Sequence, residues 1–147
     1  MAVLAGIDLL GKFYAGDDSS GQVGKRFKDF IKKYFRPIAQ DDATTIYQLR
    51  NALLHSFGLY SEVKRKGRVC KVYHFALVAA NETGPLVKVH PQDADYYLVD
   101  LLALYTKFED AVAYYLSDLR TDRDLQACFN DMFPKYGAIS IYAVQPN

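Results

Sequence analysis

Residues 41–58 read DDATTIYQLRNALLHSFG, and the rest of the chain is most easily read outward from them. Asp41, Asp42 and Thr44 have short polar side chains that accept hydrogen bonds from the orphan N–H groups of a first helical turn. Gly58 is able to take the left-handed conformation that closes a helix. Between these ends a step of about 100° per residue gathers Ile46, Leu49, Leu53 and Phe57 on one side, the predicted buried stripe. Arg50 falls on the edge of that stripe. Asn51 and His55, four residues apart, are neighbours on the adjoining face beside Thr44 and Gln48. A solvated helix would turn Arg50 away from the apolar side, and local breaks of this kind concentrate at sites.

Working upstream, VLAGIDLLGKFYA fits a first helix ended by Gly16 and the turn-rich GDDSSG. QVGKRFKDFIKKYFR follows, with Val23, Phe27, Phe30, Ile31, Tyr34 and Phe35 on one arc and Lys25, Lys28, Lys32, Lys33 and Arg36 on the other. Pro37 helps to end it. Downstream of Gly58 the period changes to that of strands: RVCKVYHFALV and LVKV are β-branched runs, broken at KGR and NETGP. They predict two or three antiparallel strands inserted at about 60–90. QDADYYLVDLLALYTKFEDAVAYYLSDL is then read as one long helix with Leu98, Leu101, Leu102, Tyr105, Phe108 and Val112 at core spacing, and DRDLQACFNDMF as a further helix meeting Pro134. AISIYAVQ predicts a last strand at about 138–145. The expected fold class is α+β: an up-and-down bundle of four or five helices with a small antiparallel sheet, all within one domain spanning residues 1–147.

Composition sets the broad class. A chain of 147 residues, half of them hydrophobic and 24% charged, is large and apolar enough for one globular core. No apolar run reaches membrane-span length, and MAVLAGIDLLGKFYAG lacks the basic start and cleavage site of a secretory signal, so the expected location is cytoplasmic and no membrane partner is expected. Cys70 and Cys128 form no CxxC pair and read as packing residues in a reducing compartment. His74 alternates with apolar residues in a strand and His90 precedes Pro91 at a turn; neither has a ligand partner in sequence, so neither a metal site nor a cofactor is expected. Charge is unevenly placed. Residues 22–71 hold 12 Lys or Arg against 4 Asp or Glu, whereas 92–131 hold 3 against 9. The first half can face a polyanion; alternatively the two halves complement each other within the fold or a dimer.

Arg50-Asn51-x3-His55, late in a helix of a small bundle, resembles the R-x4-6-H signature of the HEPN superfamily, in which a polar residue commonly follows the arginine. The resemblance covers roughly residues 1–58 and 92–135 and leaves the sheet as a departure. It implies a metal-independent endoribonuclease, often a toxin or a stress or defence effector, whose helical bundle dimerises so that two motifs meet in a composite cleft. Arg50, Asn51 and His55 are then the expected catalytic residues, with RNA, a second copy of the chain and an antitoxin protein as expected partners. The chemistry is coherent. RNA is cut without a metal when its 2′-OH attacks the adjacent phosphorus, an imidazole moves protons near neutral pH, and a guanidinium fork holds the phosphate oxygens. The basic arc of 25–36 and Lys64, Arg65, Lys66 and Arg68 are candidate backbone contacts, and Tyr47 and Tyr60 candidates for stacking a base. The competing reading is a catalytically inactive helical dimer that binds RNA or a partner protein. A third reading is a structural protein in which Arg50 and His55 serve only a helix interface, Arg50 tying helices together through a buried carbonyl or an acid such as Asp100 or Asp110.

Overall fold

The computed structural model describes residues 2–39, 41–55, 58–80 and 85–137. Among these, five helices and one four-stranded sheet form a mixed α+β architecture. Helices α1 (Ala2–Ala15), α2 (Val23–Tyr34) and α3 (Asp42–His55) come first, then strands β1 (Tyr60–Arg65), β2 (Arg68–Val78), β3 (Val87–His90) and β4 (Asp93–Asp100), then α4 (Leu101–Leu119) and α5 (Arg123–Tyr136). The predicted closing residue of α1 behaves as expected: Gly16 takes φ +61° and its N–H returns to the Lys12 carbonyl at 2.9 Å. A side chain there would also meet Cys128 of α5, with a Cβ only 2.9 Å from its sulfur. The described part of helix α3 runs to His55, and the N–H of Gly58 reaches back to the Ala52 carbonyl.

The sheet corrects the sequence reading in two ways. Its order is β1-β2-β4-β3, and β2 and β4 run parallel, so it is mixed rather than antiparallel. The chain leaves β2, reaches the far edge as β3 and returns through Pro91 and Gln92 as β4, which fills the place between them. Residues 93–100, read as the start of a long helix, form this central strand, and the sheet therefore extends to Asp100. No Gly or Pro separates strand from helix, which makes DADYYLVDLLALY look continuous. The boundary is instead Asp100, whose side chain caps α4 by accepting the Leu102 and Ala103 N–H groups.

Moving the helix start also turns its buried face. Ala103, Leu104, Ala111 and Tyr115 are buried, with Phe108 packed against the core, whereas Leu101, Leu102 and Tyr105 are exposed. Helix α5 runs through Pro134 to Tyr136 instead of stopping before it. Cys70 is exposed on β2 and is not a packing residue, while Cys128 is half-buried in α5. The expected strand at 138–145 and the predicted core residue Phe57 lie outside the described residues.

Helix α2 supplies the centre of the core as its arc predicts: Phe27, Phe30, Ile31, Tyr34 and Phe35 are all buried. Rings of Phe30 and Tyr34 lie 5.0 Å apart and Tyr115 of α4 meets Tyr34 edge-on at 5.6 Å, which locks α2 to α4. Phe13 stacks on Phe129 at 4.9 Å and ties α1 to α5. Gly6 lets α1 approach α4, since a Cβ there would lie 2.5 Å from the Phe108 ring. The Tyr115 hydroxyl is buried without a hydrogen-bond partner among the described residues, and burial pushes its pKa up to about 12. Removing an unsatisfied buried hydroxyl from an otherwise intact ring relieves a desolvation penalty, so Tyr115→Phe is expected to stabilise the protein by about 1 kcal/mol. A urea melt checks this, and a loss of stability would show that the hydroxyl is hydrogen-bonded.

Candidate active site

Helix α3 and strand β1 face each other across an open cleft of about 750 Å³. Tyr47, Gln48, Asn51 and His55 form the helical wall, at the i, i+1, i+4 and i+8 positions that share one face. Tyr60, Ser61, Glu62 and Lys64 form the strand wall. The two walls are joined by one hydrogen bond, in which Ser61 Oγ donates to Gln48 Oε1 at 2.7 Å. Asn51 is half-buried; His55, in the last helical turn, is exposed and has no hydrogen bond among the described residues.

Arg50 stands apart from the cleft. Its Nε and Nη2 donate to the same carboxylate oxygen of Asp8 in α1, at 2.8 and 2.6 Å, and its Nη1 donates to Asn51 Oδ1 at 3.2 Å. Both charged side chains are four-fifths buried or more, at 15% and 20% exposure. The acid that holds the arginine is thus neither Asp100, which caps α4, nor Asp110, which borders a separate cleft beside Pro85 and Lys107. Its position at the edge of the apolar stripe now has a physical cause: the guanidinium reaches over that stripe to α1. One consequence reaches the cleft. With Oδ1 occupied by Arg50, Asn51 keeps its two amide N–H donors for a ligand.

Glu62 is the cleft residue that the sequence reading passed over. Tyr60 donates to it at 2.6 Å and Lys64 lies 3.2 Å away. The Tyr60 hydrogen bond, and next the Lys64 one, hold the Glu62 carboxyl below the usual carboxylate range, while the same Tyr60–Glu62 bond pushes the phenol up. The signal was present in YSEVKR, where alternation places residues 60, 62 and 64 on one side of the strand. Glu62 and Lys64 offset each other's charge, so this wall adds little net field.

Of the basic arc on α2, Lys28 comes near the cleft, with its ammonium 5.8 Å from the centre of the Tyr47 ring. Tyr47 itself packs against Phe27 at 5.5 Å and closes over Gly24, so it is more wall than free platform. Lys25 is paired with Asp29 at 2.9 Å, Lys32 is exposed, and Lys33 and Arg36 border a smaller pocket with Tyr34, Tyr114 and Asp118. Arg65, Lys66 and Arg68 are exposed around the β1–β2 turn, where Lys66 and Gly67 both take positive φ. Arg26, which the arc omitted, is 5% exposed and spans to Asp17 and the Ser19 carbonyl.

Among the described residues no group of three or more His, Cys, Asp or Glu could hold a metal ion, and no helix is long and apolar enough to cross a membrane. No protein-family model, curated protein or solved structure matches the chain.

Proposed function

We propose that the protein is a metal-independent endoribonuclease of the HEPN type, with α1–α5 as its helical bundle and the α3–β1 cleft as its catalytic half-site. One observation carries this reading: Asn51 and His55 lie together on a cleft wall, with Arg50 hydrogen-bonded to Asn51 directly behind them. In the reaction the 2′-oxygen attacks phosphorus and the bond to the 5′-oxygen breaks. One proton leaves the 2′-OH and another reaches the departing 5′-oxygen, which leaves a 2′,3′-cyclic phosphate and a 5′-OH. His55 carries one of these transfers, and a second copy of the chain supplies the other imidazole across a composite cleft. Asn51 donates to a non-bridging phosphate oxygen. Arg50 orients Asn51 and, on substrate binding, exchanges the Asp8 carboxylate for phosphate oxygens, one anionic acceptor for another.

The Arg50–Asp8 pair also favours a second reading, a catalytically silent HEPN-like dimer that binds RNA or an antitoxin-type partner. In that case the arginine serves only to join α1 and α3. Incubation with labelled single-stranded RNA and tRNA in EDTA separates the two. Cleavage by the native protein to cyclic-phosphate ends, lost in Arg50→Ala and His55→Ala, supports the nuclease; intact RNA over a wide protein range supports the silent dimer.

The exposed α2 lysines give a separate expectation. If this face tracks the RNA backbone, Lys32→Glu with Lys33→Glu removes two phosphate contacts and lowers the slope of log affinity against log salt by about 1.4. Filter binding across a salt series reads this directly. An unchanged slope takes that face out of the RNA path and leaves Lys28, beside Tyr47, as the contact from α2.

A further inference from the structure

The outward side of the sheet carries a row of rings, of which the cleft uses Tyr60 and not the other three. Tyr60 of β1 lies 5.1 Å from His74 of β2, His74 lies 6.3 Å from Tyr96 of β4 with the planes only 8° apart, and Tyr96 lies 5.8 Å from His90 of β3. The row therefore takes one ring from every strand. Register places them there: Tyr60 pairs with His74 and His74 with Tyr96. The inward side of the same sheet has its own rings, Tyr73, Phe75 and Tyr97, each 5% exposed or less and packed in the core. The core therefore does not account for the outer row, in which Tyr60 and His74 are exposed.

Cross-strand ring pairs stabilise a sheet by a few tenths of a kcal/mol to about 1 kcal/mol each, which explains one such contact better than a row spanning all four strands. Three further observations point to a ligand. The neighbours of His74 on its side of β2 are Val72 and Ala76, short residues that leave the rings standing above their surroundings. Strands β2 and β3 contain no acidic residue, while Lys88 shares the outer side and Arg65, Lys66 and Arg68 are exposed at the hairpin tip. Finally, Tyr60, the first ring of the row, is also a wall of the His55 cleft.

We propose that this side of the sheet is a stacking platform for single-stranded RNA, continuous with the cleft through Tyr60. The proposal rests on reading the cleft as an RNA site and names the form of RNA it takes. Four strands at about 4.8 Å spacing give a row of about 14 Å, the span over which sheet platforms stack two or three bases. Every base has a π face, so the platform tolerates sequence, but paired bases in a duplex cannot reach it. A strand seated on the rings leads its next phosphate into the wall formed by Asn51 and His55.

The test uses His55→Ala protein, so that RNA stays intact, and a fluorescein-labelled single-stranded 12-mer followed by anisotropy. His74→Thr with His90→Thr is expected to weaken binding at least about 10-fold, whereas His74→Tyr, which keeps a ring, is expected to bind as the parent does. A 12-bp duplex RNA is expected to bind more weakly and to ignore both changes. Equal affinity of the parent and the double threonine variant overturns the platform, as does a loss in His74→Tyr as large as in the double threonine variant. The cleavage reading is tested apart, with a dinucleotide too short to span the row: His74→Thr/His90→Thr in the otherwise native chain is expected to cut it at the native rate. A 12-mer affinity that falls in the threonine variant while the native protein cuts neither substrate retains the platform and removes the nuclease.

Discussion

His55→Ala is expected to slow cleavage of single-stranded RNA by about 10³-fold, the usual worth of a positioned proton-transfer group, without a measurable change in unfolding midpoint. The two halves of this expectation come from the same feature. His55 sits exposed in the last turn of α3, packs in no core and makes no hydrogen bond among the described residues. Its truncation leaves neither a cavity nor an orphaned polar group, the two commonest sources of large destabilisation. Single-turnover rates with a labelled RNA, beside a thermal melt and a sedimentation measurement, check it. Undiminished cleavage would assign proton transfer elsewhere, with Glu62 across the cleft as the next group to change. A collapse of the melt together with activity would make His55 a structural residue instead.

The helices were largely legible because each carries its own signal. Helix α2 separates apolar from basic residues sharply enough that Phe27, Phe30, Ile31, Tyr34 and Phe35 could be named as buried, though Arg26 was missed and Val23 is only half-buried, and Gly16 closes α1 where expected. The face shared by Asn51 and His55 followed from i, i+4 geometry alone. The sheet was less legible, since strand order depends on pairing between distant segments and the apolar period of YYLVD is equally compatible with the helix that follows it. Asp100 was the available mark, a capping residue directly before LLALY, but it reads as one more polar residue unless a strand is already suspected on its other side. The ring row was hidden for the same reason: the pair Tyr60–His74 and the pair Tyr96–His90 join into one row only when β4 inserts beside β2. Arg50 is an intermediate case. Its odd placement could be read from the helix, but its partner, Asp8, is 42 residues away and on another helix.

That partnership leads to the second large effect. Arg50→Ala removes the cation from a pair whose members are only 15% and 20% exposed, leaving the Asp8 carboxylate half-desolvated against α3 and Asn51 Oδ1 without its donor. A loss of about 2–3 kcal/mol is expected, slightly under the usual range for breaking a fully buried pair because some solvent reaches both side chains. Asp8→Ala is expected to destabilise by a smaller amount, since the guanidinium still donates to Asn51 and its head group is the more weakly hydrated of the two. The double variant should then be clearly more stable than the sum of the single losses predicts, because each single change strands a charge that the double change does not. Urea denaturation of the four proteins gives the coupling directly; strict additivity would mean that the two side chains do not depend on each other in solution. Replacing the pair by Asp8→Leu with Arg50→Met carries the argument to function. Well-packed apolar substitutes for a buried ion pair are often neutral in stability, so this chain should fold. Under the silent-dimer reading it also keeps its partner or RNA, since the arginine did no more than join α1 to α3. Under the nuclease reading it binds RNA on the same surface but cuts nothing, because neither a guanidinium for the phosphate nor a fixed Asn51 remains beside His55.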